Sequence, residues 1–147
     1  MKQISFPQPE SQRKKRRTRR EVFLDEMEQI MPWAELFAVV EPHYPKGKRG
    51  RPPVGLERML RVYFVQQWNS LSDEGVEDAI TDSQALRAFV GIDLSREAAP
   101  DATTVLQFRH LLEQHGLTKK LFEAVNTALT AAGLMMREGT IADATII

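Results

Sequence analysis

Apolar residues recur along most of the chain at spacings of three and four, and this pattern predicts a series of short amphipathic helices. The clearest stripe starts at Leu56, continues through Leu60 and Phe64, and ends near Asn69. Such spacing places the apolar side chains on one face of an α-helix. Seven helices are predicted in all, over residues 18–31, 32–40, 56–69, 72–80, 83–90, 101–116 and 117–132.

Residue types that favour helix ends mark several of these boundaries. Thr18 and Glu21 have the spacing of a capping box. Ser72 and Asp101 carry side-chain oxygens that can accept a hydrogen bond from the first turn of a helix. Glycine suits the left-handed conformation that often follows the last turn, and this predicts helix ends at Gly91, Gly116 and Gly133.

The segments without helical spacing are two loops and one strand. Residues 42–53 contain four prolines and two glycines, which predicts a loop without a regular element. Residues 93–100 form a second loop. Residues 139–147 are β-branched and alternate weakly, which predicts a strand. Because a lone strand needs partners, we expect residues 134–147 to be the start of a sheet that continues elsewhere.

Composition narrows the class of protein. Hydrophobic residues make up 42% of the 147 residues, enough to form a packed core, and there is no cysteine for a disulfide or a thiolate metal site. No apolar run is long enough to span a bilayer, and the N-terminus lacks the apolar core of a secretory signal. A mainly α-helical, cytoplasmic protein without a membrane partner is expected.

The formal net charge of zero hides an uneven distribution. Residues 1–51 carry 12 Lys and Arg against 7 Asp and Glu, whereas residues 52–147 carry 8 against 13. Most of the excess lies in one run and one loop, which are the candidate DNA-binding cations: Arg13, Lys14, Lys15, Arg16, Arg17, Arg19 and Arg20, and Lys46, Lys48, Arg49 and Arg51. The run is either a solvated tail that aids solubility or a set of contacts to DNA phosphates.

The predicted helix after Asp101 has a second face of interest. Thr103, Gln107 and His110 lie opposite its apolar residues, and such side chains can hydrogen-bond base edges in a major groove. An ordinary solvated helix face is the alternative. The helix predicted over 83–90 could pair with it as a helix-turn-helix-like unit, although about ten residues separate the two.

Other residues that could carry chemistry are few. The three histidines have no metal-ligand spacing, and Trp33 and Trp68 are predicted to lie in the core. Asp143 lies within the predicted strand, where aspartate is unfavourable. It is either an edge residue that faces solvent or a metal ligand, since Mg²⁺ prefers oxygen donors.

Four blocks of the sequence resemble the N-terminal region of transposases of the insertion-sequence-five family, which has an InsH-like N-terminal domain. They are GRPPVGLERMLRVYFVQQWNSLSDEGVEDAI (50–80), LRAFVGIDL (86–94), PDATTVLQFRHLLEQHGL (100–117) and EGTIADATII (138–147). The resemblance implies a multi-helical DNA-binding domain at 21–133 behind a basic tail at 1–20. It also implies that 134–147 is a C-terminal β-strand stub of an RNase H-like catalytic domain.

In such enzymes an Asp-Asp-Glu triad holds two Mg²⁺ ions for strand cleavage and transfer. Asp143 looks like the first aspartate of that triad, and the second Asp and the Glu have no counterpart in this sequence. We therefore expect no tight Mg²⁺ binding and no catalysis by this chain alone. The expected partners are double-stranded DNA at insertion-sequence ends, and a second copy of the chain or a full-length transposase.

Three interpretations of the chain are open at this stage. It is a transposase fragment that binds terminal inverted repeats, a non-enzymatic regulator that inhibits the full-length enzyme, or an inert remnant. The truncation itself would be a natural fragment, a decayed copy or one segment of a split reading frame.

Overall fold

The computed structural model describes residues 16–46 and 54–133, which hold seven α-helices and no strand. All seven predicted helices are present, with ends within two residues of expectation. The predicted strand at 139–147 and the start of the basic tail lie outside the described residues. The helices are α1 Arg19–Ile30, α2 Trp33–Val40, α3 Leu56–Trp68, α4 Asp73–Asp82, α5 Gln84–Val90, α6 Ala102–Gln114 and α7 Leu117–Ala131.

The side chains predicted to cap helix starts do so. The Thr18 hydroxyl accepts a hydrogen bond from the Glu21 backbone N–H at 3.1 Å, and the Glu21 carboxylate accepts one from the Thr18 N–H at 2.9 Å. Ser72 and Asp101 each accept from an N–H of the following first turn at 2.8 Å. These bonds satisfy donors that have no partner within the helix, so the starts of α1, α4 and α6 follow from local sequence.

One short element departs from the sequence prediction. Residues Glu41–His43 form a turn of 3₁₀-helix, although an irregular loop was predicted from Pro42 onward. Proline is tolerated at the first turn of a helix because its missing N–H would have no partner there.

Helix α3 lies at the centre of the fold. Each residue from Met59 to Gln66 is buried, because α2, α4, α5 and α6 all pack around this helix. Met59, Leu60, Tyr63 and Phe64 join a core with α2, α6 and α7, whereas Val62 and Val65 join one with α4 and α5.

The amphipathic pattern of α3 therefore underestimates its burial. Two polar residues, Arg61 and Gln66, are 9% and 4% exposed. Their positions along the helix do not distinguish them from solvated residues.

None of the helices in the described ranges is long and apolar enough to cross a bilayer.

Candidate nucleic-acid interface

The described part of the basic run projects from the start of α1. Arg16, Arg19 and Arg20 are exposed, and no carboxylate of the described residues lies within ion-pair distance of them. Arg17 forms an ion pair with Asp25, eight residues further along, although both side chains remain more than half exposed. Arg13, Lys14 and Lys15 lie outside the described residues. Within the described residues, the capped start of α1 thus presents three exposed guanidinium groups that have no carboxylate partner.

A buried arginine holds α1 in place. Arg61 of α3 makes two hydrogen bonds to the Glu28 carboxylate, at 2.5 and 3.1 Å, and one to the Phe89 carbonyl oxygen at 3.2 Å. Its guanidinium carbon lies 4.3 Å from the Trp33 ring centroid and 4.9 Å from that of Phe89. Arg61 thereby joins α1, α2, α3 and α5, so α1 is held at a defined position on the domain.

Both tryptophans pack as the sequence predicts. Trp33 and Trp68 are half-buried against the core, and each makes ring contacts to Phe64 and Phe89. They are therefore packing residues and not an exposed platform for stacking bases.

The residues on either side of the second basic segment, the loop that begins near Lys46, are joined by a hydrogen bond. The Tyr44 hydroxyl donates a hydrogen bond to the carbonyl oxygen of Val54, which joins the two ends of the loop. The Tyr44 ring packs edge-on against Phe108 of α6, with 6.0 Å between ring centroids. Burial raises the pKa of Tyr44 to about 12, so it keeps its proton at neutral pH. Lys46 is exposed at the start of the loop, whereas Lys48, Arg49 and Arg51 lie outside the described residues.

Helix α6 presents the polar face that its periodicity predicts. Thr103, Gln107 and His110 are exposed. The opposite face is buried in the core through Val105, Phe108 and Leu112. The exposure of the three polar side chains is confirmed, and their role in reading bases stays a prediction.

An ion pair fixes α6 against α4. Arg109 donates two hydrogen bonds to the Asp73 carboxylate, at 3.0 and 2.9 Å, and Gln66 donates a third at 2.8 Å. These bonds hold the pKa of Asp73 below its ordinary value, chiefly through Arg109. The Glu77 carboxylate also accepts a hydrogen bond from the Ala102 N–H at 3.0 Å. Helix α4 is therefore the main support behind α6, whereas α5 packs mainly on α3 and α4.

The structure also brings together two histidines that lie far apart in the sequence. The rings of His43 and His115 lie 4.2 Å apart, tilted by 32°. The two imidazoles thus contact each other through their rings. Among the described residues no three His, Asp or Glu side chains are placed to hold a metal ion. Asp143, the candidate catalytic residue and metal ligand, lies outside them.

Comparison with known protein families gives a match over most of the described helices. The family model described as a transposase domain, DUF772, matches residues 11–111, more than half of the chain. The match covers the basic run, α1 to α5 and most of α6. No solved structure matches the chain.

Proposed function

The chain belongs to the DUF772 transposase-domain family, and on that premise we propose that it binds double-stranded DNA at the terminal inverted repeats of an insertion sequence. In this role the exposed cations contact phosphates, and a helix face reads bases. Phosphate contacts position a protein on DNA, whereas base contacts give it sequence preference.

The observation that carries this proposal is the division of the cations into two groups. Arg58, Arg61 and Arg109 are each bound to a carboxylate that lies distant in sequence. Arg87 of α5 instead donates hydrogen bonds to two backbone carbonyl oxygens. Arg16, Arg19 and Arg20 have no such partner among the described residues and cluster at one end of α1. Neither structural pairing nor helix stability accounts for this cluster, because cations at a helix start oppose the helix dipole.

Base recognition falls to α6 in this proposal. Thr103, Gln107 and His110 offer a hydroxyl, an amide and an imidazole on one exposed face, and these groups can pair with base edges in a major groove. The Asp73–Arg109 pair holds the helix from behind without using that face. A rigidly supported helix can place such groups with the accuracy that direct recognition requires.

In the same proposal, an RNase H-like domain cleaves the DNA strand, and Asp143 provides one Mg²⁺ ligand of that domain. Two-metal chemistry requires several carboxylates that hold ions about 3.5–4 Å apart. Self-association, or association with a full-length transposase, would bring two DNA ends together. The seven helices would supply the DNA contacts of such an assembly.

Fluorescence anisotropy with the 147-residue chain tests the proposal. One labelled duplex carries the ends of the genetic element that encodes the chain, and a control duplex has the same base composition in scrambled order. We expect both to bind at 50 mM salt and the first to bind on the order of a thousandfold or more tighter, within the range typical of specific sites. No binding to either duplex would refute the proposal.

A second assay separates the alternatives. Incubation of the bound duplex with Mg²⁺ and separation of the products on a denaturing gel reveals any nicking. Specific binding without cleavage favours a regulatory role for the isolated chain, and specific cleavage favours a complete enzyme. Absence of DNA binding by the folded protein favours the inert remnant.

A further inference from the structure

A cleft of about 340 Å³ lies where α3 ends and α4 begins. Gln66 of α3, Asp73 and Glu74 of α4, and Arg109 of α6 are among the residues that line it. The three α6 side chains assigned to base recognition do not line this cleft. The proposed contacts to DNA therefore do not account for it.

Gln66 brings to this cleft a hydrogen-bond acceptor that has no partner. The residue is more than nine-tenths buried, and its Nε2 donates to the Asp73 carboxylate at 2.8 Å. Its Oε1 is buried and accepts no hydrogen bond from the described residues. Exchange of the two amide atoms would place Oε1 against the carboxylate, so the bond to Asp73 fixes the orientation. Buried acceptors without a donor are unfavourable and rare in native proteins, which indicates that a donor from outside the described residues binds here.

The charges around the cleft favour a donor that is positively charged. Asp73 neutralises Arg109, from which it accepts two hydrogen bonds at 3.0 and 2.9 Å. Glu74 is exposed and forms no ion pair within the described residues, so the excess charge is negative. Gln66 also lies in the last turn of α3, where the helix dipole favours a cation. The opposing dipole at the start of α4 is offset by the two acidic residues in its first turn.

We propose that this cleft binds a primary ammonium group, which donates hydrogen bonds to Oε1 of Gln66 and to the Glu74 carboxylate. An ammonium group has three N–H donors and no acceptor, which matches a site that offers acceptors and a negative charge. A divalent metal ion fits less well, because Arg109 engages both oxygens of Asp73 and such ions need several free oxygen ligands. The group belongs to a free alkylamine or to a lysine side chain of a second copy of the chain.

Titration of the 147-residue chain with n-butylammonium chloride, followed by ¹H–¹⁵N NMR, tests the proposal. We expect binding in the millimolar range, as for other ligands of this size, with a shift of the side-chain amide signals of Gln66. Tetramethylammonium carries the same charge without an N–H donor and should bind on the order of tenfold more weakly. Equal binding of the two cations, or unshifted Gln66 signals, would overturn the proposal.

Three variants locate the binding site. Gln66→Met keeps the length of the side chain and removes Oε1, so n-butylammonium should bind about tenfold or more weakly. Glu74→Gln removes an exposed charge and should weaken binding about two- to fivefold. Asp78→Asn is the matched control, because Asp78 is an exposed carboxylate of α4 that does not line the cleft, and its affinity should equal that of the parent. Thermal unfolding shows that a variant is folded, and Glu74→Gln tests the site even where Gln66→Met unfolds. Parent affinity in folded Gln66→Met or in Glu74→Gln would refute the assignment.

Sedimentation velocity identifies the source of the ammonium group. If a lysine of a second copy fills the cleft, the chain self-associates as its concentration rises, and n-butylammonium shifts it towards the monomer. If the chain binds n-butylammonium and sediments as a monomer throughout, the ligand is a free alkylamine. These measurements contain no DNA, so a failure of the proposed function would not change their result.

Discussion

Replacement of Arg61 by alanine distinguishes a structural cation from the cations that we propose contact DNA. Arg61 is one of 20 Lys and Arg residues and looks ordinary in the sequence, yet its side chain is 10% exposed. It lies against the rings of Trp33 and Phe89 and holds Glu28 through two hydrogen bonds. We expect Arg61→Ala to destabilise the domain without changing its contacts to DNA.

The size of the effect follows from those contacts. The Glu28 side chain is 48% exposed, so water can solvate its carboxylate after the change, and the lost charged hydrogen bonds contribute about 1–2 kcal/mol. The two ring contacts contribute roughly 0.5–1 kcal/mol each. Loss of the buried aliphatic stem costs a further ~1–2 kcal/mol. Burial of the charged guanidinium group costs free energy in the parent chain, and its removal regains that cost. This gain offsets part of the total. We expect a net loss of about 3 kcal/mol.

Urea unfolding, monitored by circular dichroism, measures the loss in the free energy of unfolding. Arg58→Ala is the control. Arg58 also pairs with a carboxylate, Glu97, but its side chain is 33% exposed, so its removal should cost about 1 kcal/mol. Under conditions in which both variants are folded, the salt dependence of DNA binding should match that of the parent chain. A loss below about 1 kcal/mol for Arg61→Ala, or a lowered salt slope, would contradict this account of Arg61.

Three further predictions concern pH, the loop and the candidate catalytic residue. Because Arg109 lowers the pKa of Asp73, the Asp73–Arg109 ion pair stabilises the fold at pH values above 3.8, the ordinary pKa of an aspartate. This stabilisation is lost as the pH falls through the lowered pKa of Asp73. Asp73→Asn should therefore be less stable than the parent at pH 7, and acid titration should show the difference shrinking below pH 3.8; a constant difference would contradict the pairing. Tyr44→Phe should cost about 1 kcal/mol in urea unfolding, because the Val54 carbonyl loses its donor, and an unchanged midpoint would show that this bond does not hold the loop. Asp143→Asn should leave duplex affinity unchanged in anisotropy titrations, and weaker binding would place that residue among the DNA contacts.

Local sequence chemistry was sufficient to predict where the helices begin and end. Thr18, Ser72 and Asp101 cap helix starts through bonds that reach three residues along the chain. Gly91 and Gly116 adopt the left-handed conformation at helix boundaries, with φ of 88° and 63°. These features depend on neighbouring residues only, so a single sequence contains the necessary information. The exposed polar face of α6 follows from periodicity for the same reason.

The roles of individual charged residues depended on the tertiary structure. Arg61 and Arg19 are the same residue type in equally helical segments, yet one is buried against two rings and the other faces solvent. The Asp73–Arg109 pair spans 36 residues, and the His43–His115 contact spans more. Sequence spacing predicts which residues are neighbours within one helix, but it does not show which helices pack against each other.

The sequence by itself thus determined seven helices, their ends and their apolar faces, because each of these arises from interactions within one or two turns. Only the packing of the helices against one another decided which of the described arginines are bound to distant carboxylates and which remain exposed without such a partner. The physical reason is that pairing a charge requires a partner within about 4 Å. At long separation along the chain, that distance is set by the way whole helices pack together.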